Sequence, residues 1–292
     1  MSHALSLPVG IGLPISDPGT LLTWAERADA GPFSTLGLLD RLVYDNPEPL
    51  VTLAAVAGAT RRVRVQTEVL LAPLREPVLL AKQAATLDRI SDGRFTLGLG
   101  IGGREDDYLA VGADVRRRGR VLDEQLAVLR RVWSGGEGVA GVAATGPVGP
   151  APARADGPKI LFGGFAPAAL ARVGRWGDGF LGAALPPARM AGLYRDVEEG
   201  WRRAGRDGRP HLVAQVNVAI GPAAVVRDAR SAIRDYYGFA DFADHAADSL
   251  LGSADEIRAA IAGYAEVGAD EVMLYCWAAD PEQVDRLAEI IR

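Results

Sequence analysis

Apolar and polar positions along this chain follow two alternating periods, which predict strands and helices in turn. Residues 63–71 alternate between apolar and polar side chains and end in two leucines, as a strand that enters a core does. Leu80, Ala84 and Leu87 then recur at helical spacing and predict the buried face of a helix. The apolar run at 95–99 is too short for a helix and indicates a strand covered on both faces. These elements form one βαβ unit of a parallel sheet.

The same alternation predicts eight strands that are separated by helical sequence. The strands are residues 7–13, 35–40, 63–71, 95–99, 159–164, 179–183, 211–220 and 271–277. Eight strands that alternate with helices predict an α/β protein with the (β/α)8, or TIM-barrel, architecture. The alternative is an open doubly wound sheet, which is disfavoured because no G-x-G-x-x-G sequence follows the first strand.

One stretch, residues 135–158, departs from this alternation. It is rich in Gly, Ala and Pro, lacks any periodicity, and predicts a flexible surface excursion between the fourth and fifth strands. A linker between two domains is the alternative, but no shift in composition separates the two halves of the chain. The 292 residues are therefore expected to form a single barrel domain, residues 1–292.

Charge and composition narrow the possible partners. A net charge of -5 argues against nucleic acid binding, which calls for a basic surface. No apolar run approaches the roughly 20 residues that span a bilayer, so no membrane partner is expected. A single cysteine, Cys276, excludes an internal disulfide and fits a reducing cytoplasm. The three histidines lack the spacing of metal ligands, and no metal is expected.

Four segments resemble the bacterial luciferase-like flavin-dependent oxidoreductases. They are LLAPLREPVLLAKQAATLDRISDGRFTLGLGIGGREDDYLAVG, PEPLVTLAAVAGATRRVRV, GRVLDEQLAVLRRVW and GGFAPAALARVGRWGDGF, and they cover about half of the chain in the family's order. The resemblance implies a TIM-type barrel that uses FMN or the deazaflavin F420. It also implies hydride transfer or oxygenation of a small organic substrate at the carboxyl end of the barrel. Relatives are often dimers, and a separate flavin reductase is a further possible partner.

The resemblance places the support for the flavin ring at Glu68–Val69, where the family has a bulge that often contains a non-proline cis peptide bond. The usual residue at position 68 is small, so Glu68 is a departure. Its carboxyl group would orient the substrate or move a proton. The alternative is that Glu68 pairs with a neighbouring arginine inside the barrel.

A second departure lies at the end of the second strand, where the family commonly has Asp-His and this chain has Asp40-Arg41. Arginine stays protonated and cannot act as a general base. Arg41 would instead bind an anionic substrate or stabilise a reduced, negatively charged flavin. The alternative is a salt bridge with Asp40, Asp45 or Glu48.

The cofactor's phosphate would bind between the fourth and fifth strands. The resemblance assigns phosphate contact to Arg120, for which an exposed, helix-capping arginine is the alternative. The strand-to-helix turn after the fifth strand offers backbone amides, although the usual Ser or Thr hydroxyls are missing. The glycine-rich turn after the fourth strand would let the cofactor approach the backbone closely, with tight packing as the alternative. The proposed cofactor contacts in these two turns are Gly100, Gly102, Gly103, Gly163, Gly164, Phe165 and Ala166. The acidic run 105–107 is expected to be a solvated face or a helix start.

Late strands supply the remaining candidates. Gln215 and Asn217 share one face of the seventh strand and would contact the substrate or fill a polar core layer. Tyr275 would contact the substrate or pack in the core, and Cys276 is expected to be a buried, unreactive thiol. Two further functions stay open: a flavin-binding barrel with little catalysis, and a barrel enzyme without flavin, such as a lyase or isomerase of phosphorylated substrates.

Overall fold

The strands of the computed structural model, which describes residues 7–14, 18–136 and 146–292, form one closed parallel barrel. They are β1 Val9–Gly12, β2 Thr35–Leu38, β3 Arg64–Thr67, β4 Leu70–Leu71, β5 Phe95–Gly100, β6 Lys159–Gly163, β7 Gly179–Leu181, β8 His211–Val218 and β9 Glu271–Cys276. Strands β3 and β4 together form the third strand of the barrel, because both pair with β5. The order closes from β1 through β2, β3/β4 and β5 to β9, which pairs with β1. The predicted eight-stranded barrel is confirmed.

Helices surround the barrel. They are α1 Pro18–Ala30, α2 Pro49–Ala59, α3 Pro77–Ile90, α4 Glu105–Ala110, α5 Arg118–Trp133, α6 Pro167–Trp176, α7 Pro187–Arg203, α8 Ala223–Tyr236, α9 Ala243–Asp248, α10 Ala254–Glu266 and α11 Glu282–Ile291. Several begin with proline, which the first helical turn tolerates because its N–H groups have no intrahelical partner. Ser253 and Glu256 form a capping box at the start of α10.

The third strand is interrupted where the sequence predicts a bulge. Glu68 and Val69 separate β3 from β4, and the peptide bond between them is cis. Val69 packs against an apolar layer inside the barrel, formed by Leu161, Leu181, Val213 and Met273. The break therefore lies directly above the apolar interior of the barrel.

The excursion predicted at 135–158 lies between α5 and β6. Its residues 137–145 fall outside the described part of the chain. Its second half contacts α3: the Lys82 ammonium group donates to the Gly149 carbonyl at 2.6 Å, and the Ala153 N–H donates to Asp88 at 2.7 Å. None of the helices in the described ranges is long and apolar enough to cross a membrane.

Candidate active site at the barrel mouth

A cavity of about 170 Å³ opens at the carboxyl ends of the strands. Its lining residues are Leu39, Asp40, Arg41, Glu68, Val69, Leu71, Gly102, Gly103, Arg104, Asp107, Tyr236, Tyr237 and Phe239. A larger cavity of about 350 Å³ lies between β8, α7, α9 and α10. We place the candidate active site in the smaller cavity because its lining includes four buried acidic or basic side chains, Asp40, Arg41, Glu68 and Asp107.

Glu68 is held by two glutamine amides inside the barrel. Gln66 donates from Nε2 to Oε1 at 2.6 Å, and Gln215 donates from Nε2 to Oε2 at 3.0 Å. The Tyr275 hydroxyl faces the same carboxyl group without completing a hydrogen bond of good geometry. Gly37 leaves room for it, since a Cβ atom there would lie 2.4 Å from the Glu68 Cδ. The expected alternative, an arginine partner for Glu68, is wrong.

Burial raises the pKa of Glu68 to about 7, although the Gln66 amide and the Tyr275 hydroxyl oppose the shift. Its side chain is only 3% exposed, so the charged form loses most of its hydration. A carboxyl group with a pKa near neutrality can both donate and accept a proton at physiological pH.

This pKa predicts a pH dependence of stability. Between about 4.5 and 7 the folded protein keeps a proton on Glu68 that the unfolded chain releases, so stability falls as pH rises through this window. The difference in unfolding free energy between wild type and Glu68→Gln should shift by up to about 3 kcal/mol in favour of the variant, then stay constant above pH 7. Urea unfolding of both proteins from pH 5 to pH 8 measures it. A difference that does not change with pH would contradict the prediction.

Val69 lies wedged between two of the predicted glycines. A Cβ atom at Gly100 would lie 2.3 Å from one Val69 methyl carbon, and a Cβ at Gly163 would lie 2.9 Å from the other. These two glycines therefore admit the Val69 side chain, whereas the sequence predicts that they admit a ligand. Their position makes Val69 a rigid apolar shelf under the cavity.

Arg41 is buried among aromatic rings and faces Asp107. Its guanidinium carbon lies 4.6 Å from the ring centre of Tyr236, 5.2 Å from that of Tyr44 and 5.3 Å from that of Phe239. Its Nη1 donates to the Tyr236 carbonyl at 3.0 Å, and its Nε lies 3.4 Å from the Asp107 Oδ2. The expected alternative partners of Arg41, namely Asp40, Asp45 and Glu48, are wrong.

Asp107 and Asp40 have structural partners of their own. Asp107 is 1% exposed and accepts hydrogen bonds from the Leu42 and Val43 amides, so the prediction of a solvated face fails at this residue. The helix start predicted in the same run is confirmed, since α4 begins at Glu105. Asp40 accepts from Arg75 and from the Leu71 amide, each at 2.8 Å. Burial raises the pKa of Asp40, and Arg75 opposes the shift.

Arg120 and the turn at 163–166, which are predicted to bind the phosphate, do not line the cavity, whereas the predicted cofactor contacts Gly102 and Gly103 do. Gly164, Phe165 and Ala166 connect β6 to α6, and Phe165 is 53% exposed. Arg120 lies in the first turn of α5, is exposed, and its Nε is 4.0 Å from Glu124. Hydrogen bonds from Arg172 on α6 to the Gly119 carbonyl and to Asp123 join the first turn of α5 to α6.

The candidate residues on the last two strands, β8 and β9, lie in different places. Gln215 binds Glu68, whereas Asn217 accepts a hydrogen bond from the Trp277 indole at 2.8 Å and lines the larger cavity. Tyr275 is buried beside Glu68. Cys276 is buried as expected, and burial raises the pKa of its thiol to about 12.

Sequence reasoning did not find several contacts of this site. Gln66 lies two positions from Glu68, a spacing that places two residues on one strand face, and this signal was available. The aromatic residues Tyr236 and Phe239 carry no such signal, because nearly 200 residues separate them from Arg41. Over the ranges that the structure describes, no three His, Cys, Asp or Glu side chains are grouped as metal ligands would be.

The sequence profile of the luciferase-like monooxygenases matches residues 5–271, and the chain belongs to this family. An uncharacterised protein of Mycobacterium tuberculosis is 31% identical over 57% of this chain and 60% of its own length. The 4-hydroxyprotoasukamycin monooxygenase of Streptomyces nodosus subsp. asukaensis is 31% identical over 56% of this chain and 45% of its own. The oxygenase component of the flavin-dependent trigonelline monooxygenase of Acinetobacter baylyi is 33% identical over 30% and 25%, respectively. The matched part of this chain thus covers less than two thirds of the length of each of these curated relatives.

Solved structures share the fold along the whole chain. An F420-dependent secondary alcohol dehydrogenase in complex with an F420-acetone adduct superposes with a TM-score of 0.81 at 20% identity, covering 98% of this chain and 99% of its own. The oxygenating constituent of 3,6-diketocamphane monooxygenase from Pseudomonas putida, in complex with FMN, gives 0.73 at 16% identity, covering 98% and 95%. At these identities the likeness establishes the fold.

Proposed function

We propose that this protein is a flavin-dependent oxidoreductase that uses reduced FMN or coenzyme F420 on a small organic substrate at the barrel mouth. The observation that carries the proposal is the break in the third strand, where Val69 forms an apolar shelf and Glu68 sets a protonatable carboxyl group beside it. Relatives that are monooxygenases support oxygenation as the reaction.

The chain offers contacts for each part of such a cofactor. Val69 would support the ring, while Arg120 and the first N–H groups of α6 would bind the phosphate. The cavity above the shelf, about 170 Å³, is smaller than the roughly 300–1,000 Å³ of sites for drug-sized ligands. Phe239 lies in its wall. A three-ring cofactor would therefore bind only with a widening of this cavity.

The bound cofactor would supply a hydride or activate oxygen, and the protein's side chains would position the reactants. Glu68 would hold a proton at one carboxyl oxygen and transfer it to or from the substrate, since its pKa lies near neutrality. The Gln66 and Gln215 amides would keep that carboxyl group in place. The rings of Tyr236, Tyr237 and Phe239 would exclude water from the mouth.

The choice between FMN and F420 stays open within the proposal, because structural neighbours bind one or the other. If FMN is the cofactor, a separate flavin reductase is the expected electron donor, as supported by a relative that is an oxygenase component. The single buried Cys276 supports a cytoplasmic location. A homodimer stays a prediction, for which exposed Val51, Leu79 and Ile90 beside a groove between α2 and α3 offer an apolar surface.

The phosphate assignment is tested by Arg120→Ala. Loss of one charge-assisted contact should weaken FMN about tenfold, while riboflavin, which lacks the phosphate, should change little. Titrations that are monitored by flavin fluorescence measure the affinities for FMN and for riboflavin. Arg116→Ala, an exposed arginine in the turn before α5, is the matched control. Equal losses for FMN and riboflavin would remove Arg120 from the phosphate site.

A further inference from the structure

We propose that Arg41 binds a carboxylate, and that the substrate of this barrel is a small organic acid whose carboxylate docks at the Nε and Nη2 edge of the Arg41 guanidinium. This inference names the substrate class of the site, and its place in catalysis rests on the proposed oxidoreductase function.

Two of the three guanidinium nitrogens of Arg41 lack a hydrogen-bond acceptor among the residues that the structure describes. The residue is 8% exposed, and only its Nη1 donates a hydrogen bond of good geometry, to the Tyr236 carbonyl. Nε and Nη2 are buried and complete no hydrogen bond of good geometry with a described residue, although the Tyr236 hydroxyl faces the guanidinium group. These two nitrogens share one edge of the guanidinium group and form the fork that matches the two oxygens of a carboxylate. Buried donors of a charged group rarely lack partners, so the edge is suited to a ligand.

Asp107 balances the charge of Arg41 without occupying the fork. Its Oδ1 is committed to the Leu42 and Val43 amides, and its Oδ2 lies 3.4 Å from Nε without completing a hydrogen bond. The guanidinium is thereby held in place beside a compensating negative charge, while Nε and Nη2 still lack a hydrogen-bond acceptor in the described ranges. This is the arrangement of a preorganised binding group.

In the same cavity, Arg104 differs from Arg41 because the two nitrogens on one edge of its guanidinium group both donate to a carboxylate. Its Nε donates to the Asp106 Oδ1 at 2.7 Å, and its Nη2 donates to the Asp106 Oδ2. Both arginines line the cavity and contact the Phe239 ring. The corresponding edge of Arg41 has the Asp107 Oδ2 at 3.4 Å from Nε but makes no hydrogen bond to a carboxylate of the described residues.

The remaining carboxyl groups of the cavity do not oppose a bound anion strongly. Asp40 is neutralised by Arg75, whose Nη2 lies 2.8 Å from it. Glu68 keeps its proton below neutral pH because of its burial. The cavity of about 170 Å³ and the rings around Arg41 suit an acid with one ring or a short apolar chain.

The test is calorimetric titration of the full chain at pH 6 with benzoate and with benzamide, its uncharged analogue of similar shape. Wild type should bind benzoate about tenfold or more tightly than benzamide. Arg41→Gln should abolish that preference, and Arg41→Lys, which keeps the charge but lacks the fork, should lose most of it. In the control Arg104→Gln, the preference should persist.

If the Arg41 variants fold poorly, a second variant that is expected to strengthen benzoate binding can still test the inference. Asp107→Asn can still accept from the Leu42 and Val43 amides but removes the negative charge near Arg41, so benzoate should bind about threefold or more tightly and benzamide should not change. Equal binding of the two probes by wild type, or an unchanged benzoate affinity in Asp107→Asn, would overturn the inference. No flavin is needed for these titrations, so a failure to bind flavin would count only against the proposed function.

Discussion

Glu68→Gln is expected to lower turnover by about 10²- to 10⁴-fold, the range typical of losing a general acid or base, and to leave cofactor affinity nearly unchanged. The variant keeps the size and polarity of the side chain, and the Gln215 amide can rotate to accept from the new NH2 group. It removes only the proton that Glu68 exchanges near neutral pH. Steady-state kinetics with the reduced cofactor and the substrate measure the effect.

The pH profile separates a chemical role of Glu68 from a structural one. Wild-type turnover should change with an apparent pKa near 7, and Glu68→Gln should lose that step. Glu105→Gln, which alters an exposed carboxyl group at the start of α4, is the matched control and should behave as wild type. Unchanged kinetics in Glu68→Gln would make Glu68 a structural residue.

Gly100→Ala is expected to lower the free energy of unfolding by about 1–3 kcal/mol, as overpacking of a core does, and to weaken cofactor binding about tenfold. The new methyl group would lie 2.3 Å from the Val69 side chain, which Gly163 confines on its other side. Val69 is β-branched and has few rotamers to escape into, so the shelf itself must move. Urea unfolding and cofactor titration measure the two effects.

Two further variants assign this effect to the contact with Val69. Val69→Ala in the Gly100→Ala background should recover about 0.5–3 kcal/mol of stability, because it removes the methyl groups that clash. Gly103→Ala lies in the same glycine-rich turn, where the added carbon would meet only Phe239, at 3.6 Å, and should be tolerated. Similar losses in Gly100→Ala and Gly103→Ala would show that Val69 is not the cause.

Much of the fold could be predicted because it follows from local patterns. The alternation at 63–71 and the apolar run at 95–99 correspond to β3, β4 and β5 within one or two residues. The break at Glu68–Val69 was located by resemblance to the family, since nothing in the local hydrophobic pattern interrupts the strand there. The depth at which Glu68 is buried depends on Gly37 in a neighbouring strand, which no local pattern reveals.

The contacts of the site were harder to predict because they join distant parts of the chain. The partner of Arg41 is Asp107, on the helix that follows the fourth strand of the barrel, whereas the sequence pointed to the nearer acids Asp40, Asp45 and Glu48. A glycine at position 100 indicates that some group approaches the backbone closely, but the sequence does not say which group. The structure shows that this group is the Val69 side chain, not a ligand. Gln215 and Asn217 share a strand face, yet they contact different groups, Glu68 and Trp277.

Whether a flavin or deazaflavin binds over the Val69 shelf can be measured by titrating the full chain with FMN and with F420 while following cofactor fluorescence. We expect at least one of them to bind with a Kd below about 100 μM, and Gly100→Ala to weaken this binding about tenfold. Cofactor that binds but is never reduced or reoxidised would favour a carrier without catalysis. Failure of both cofactors to bind wild type at high micromolar concentration would contradict the claim.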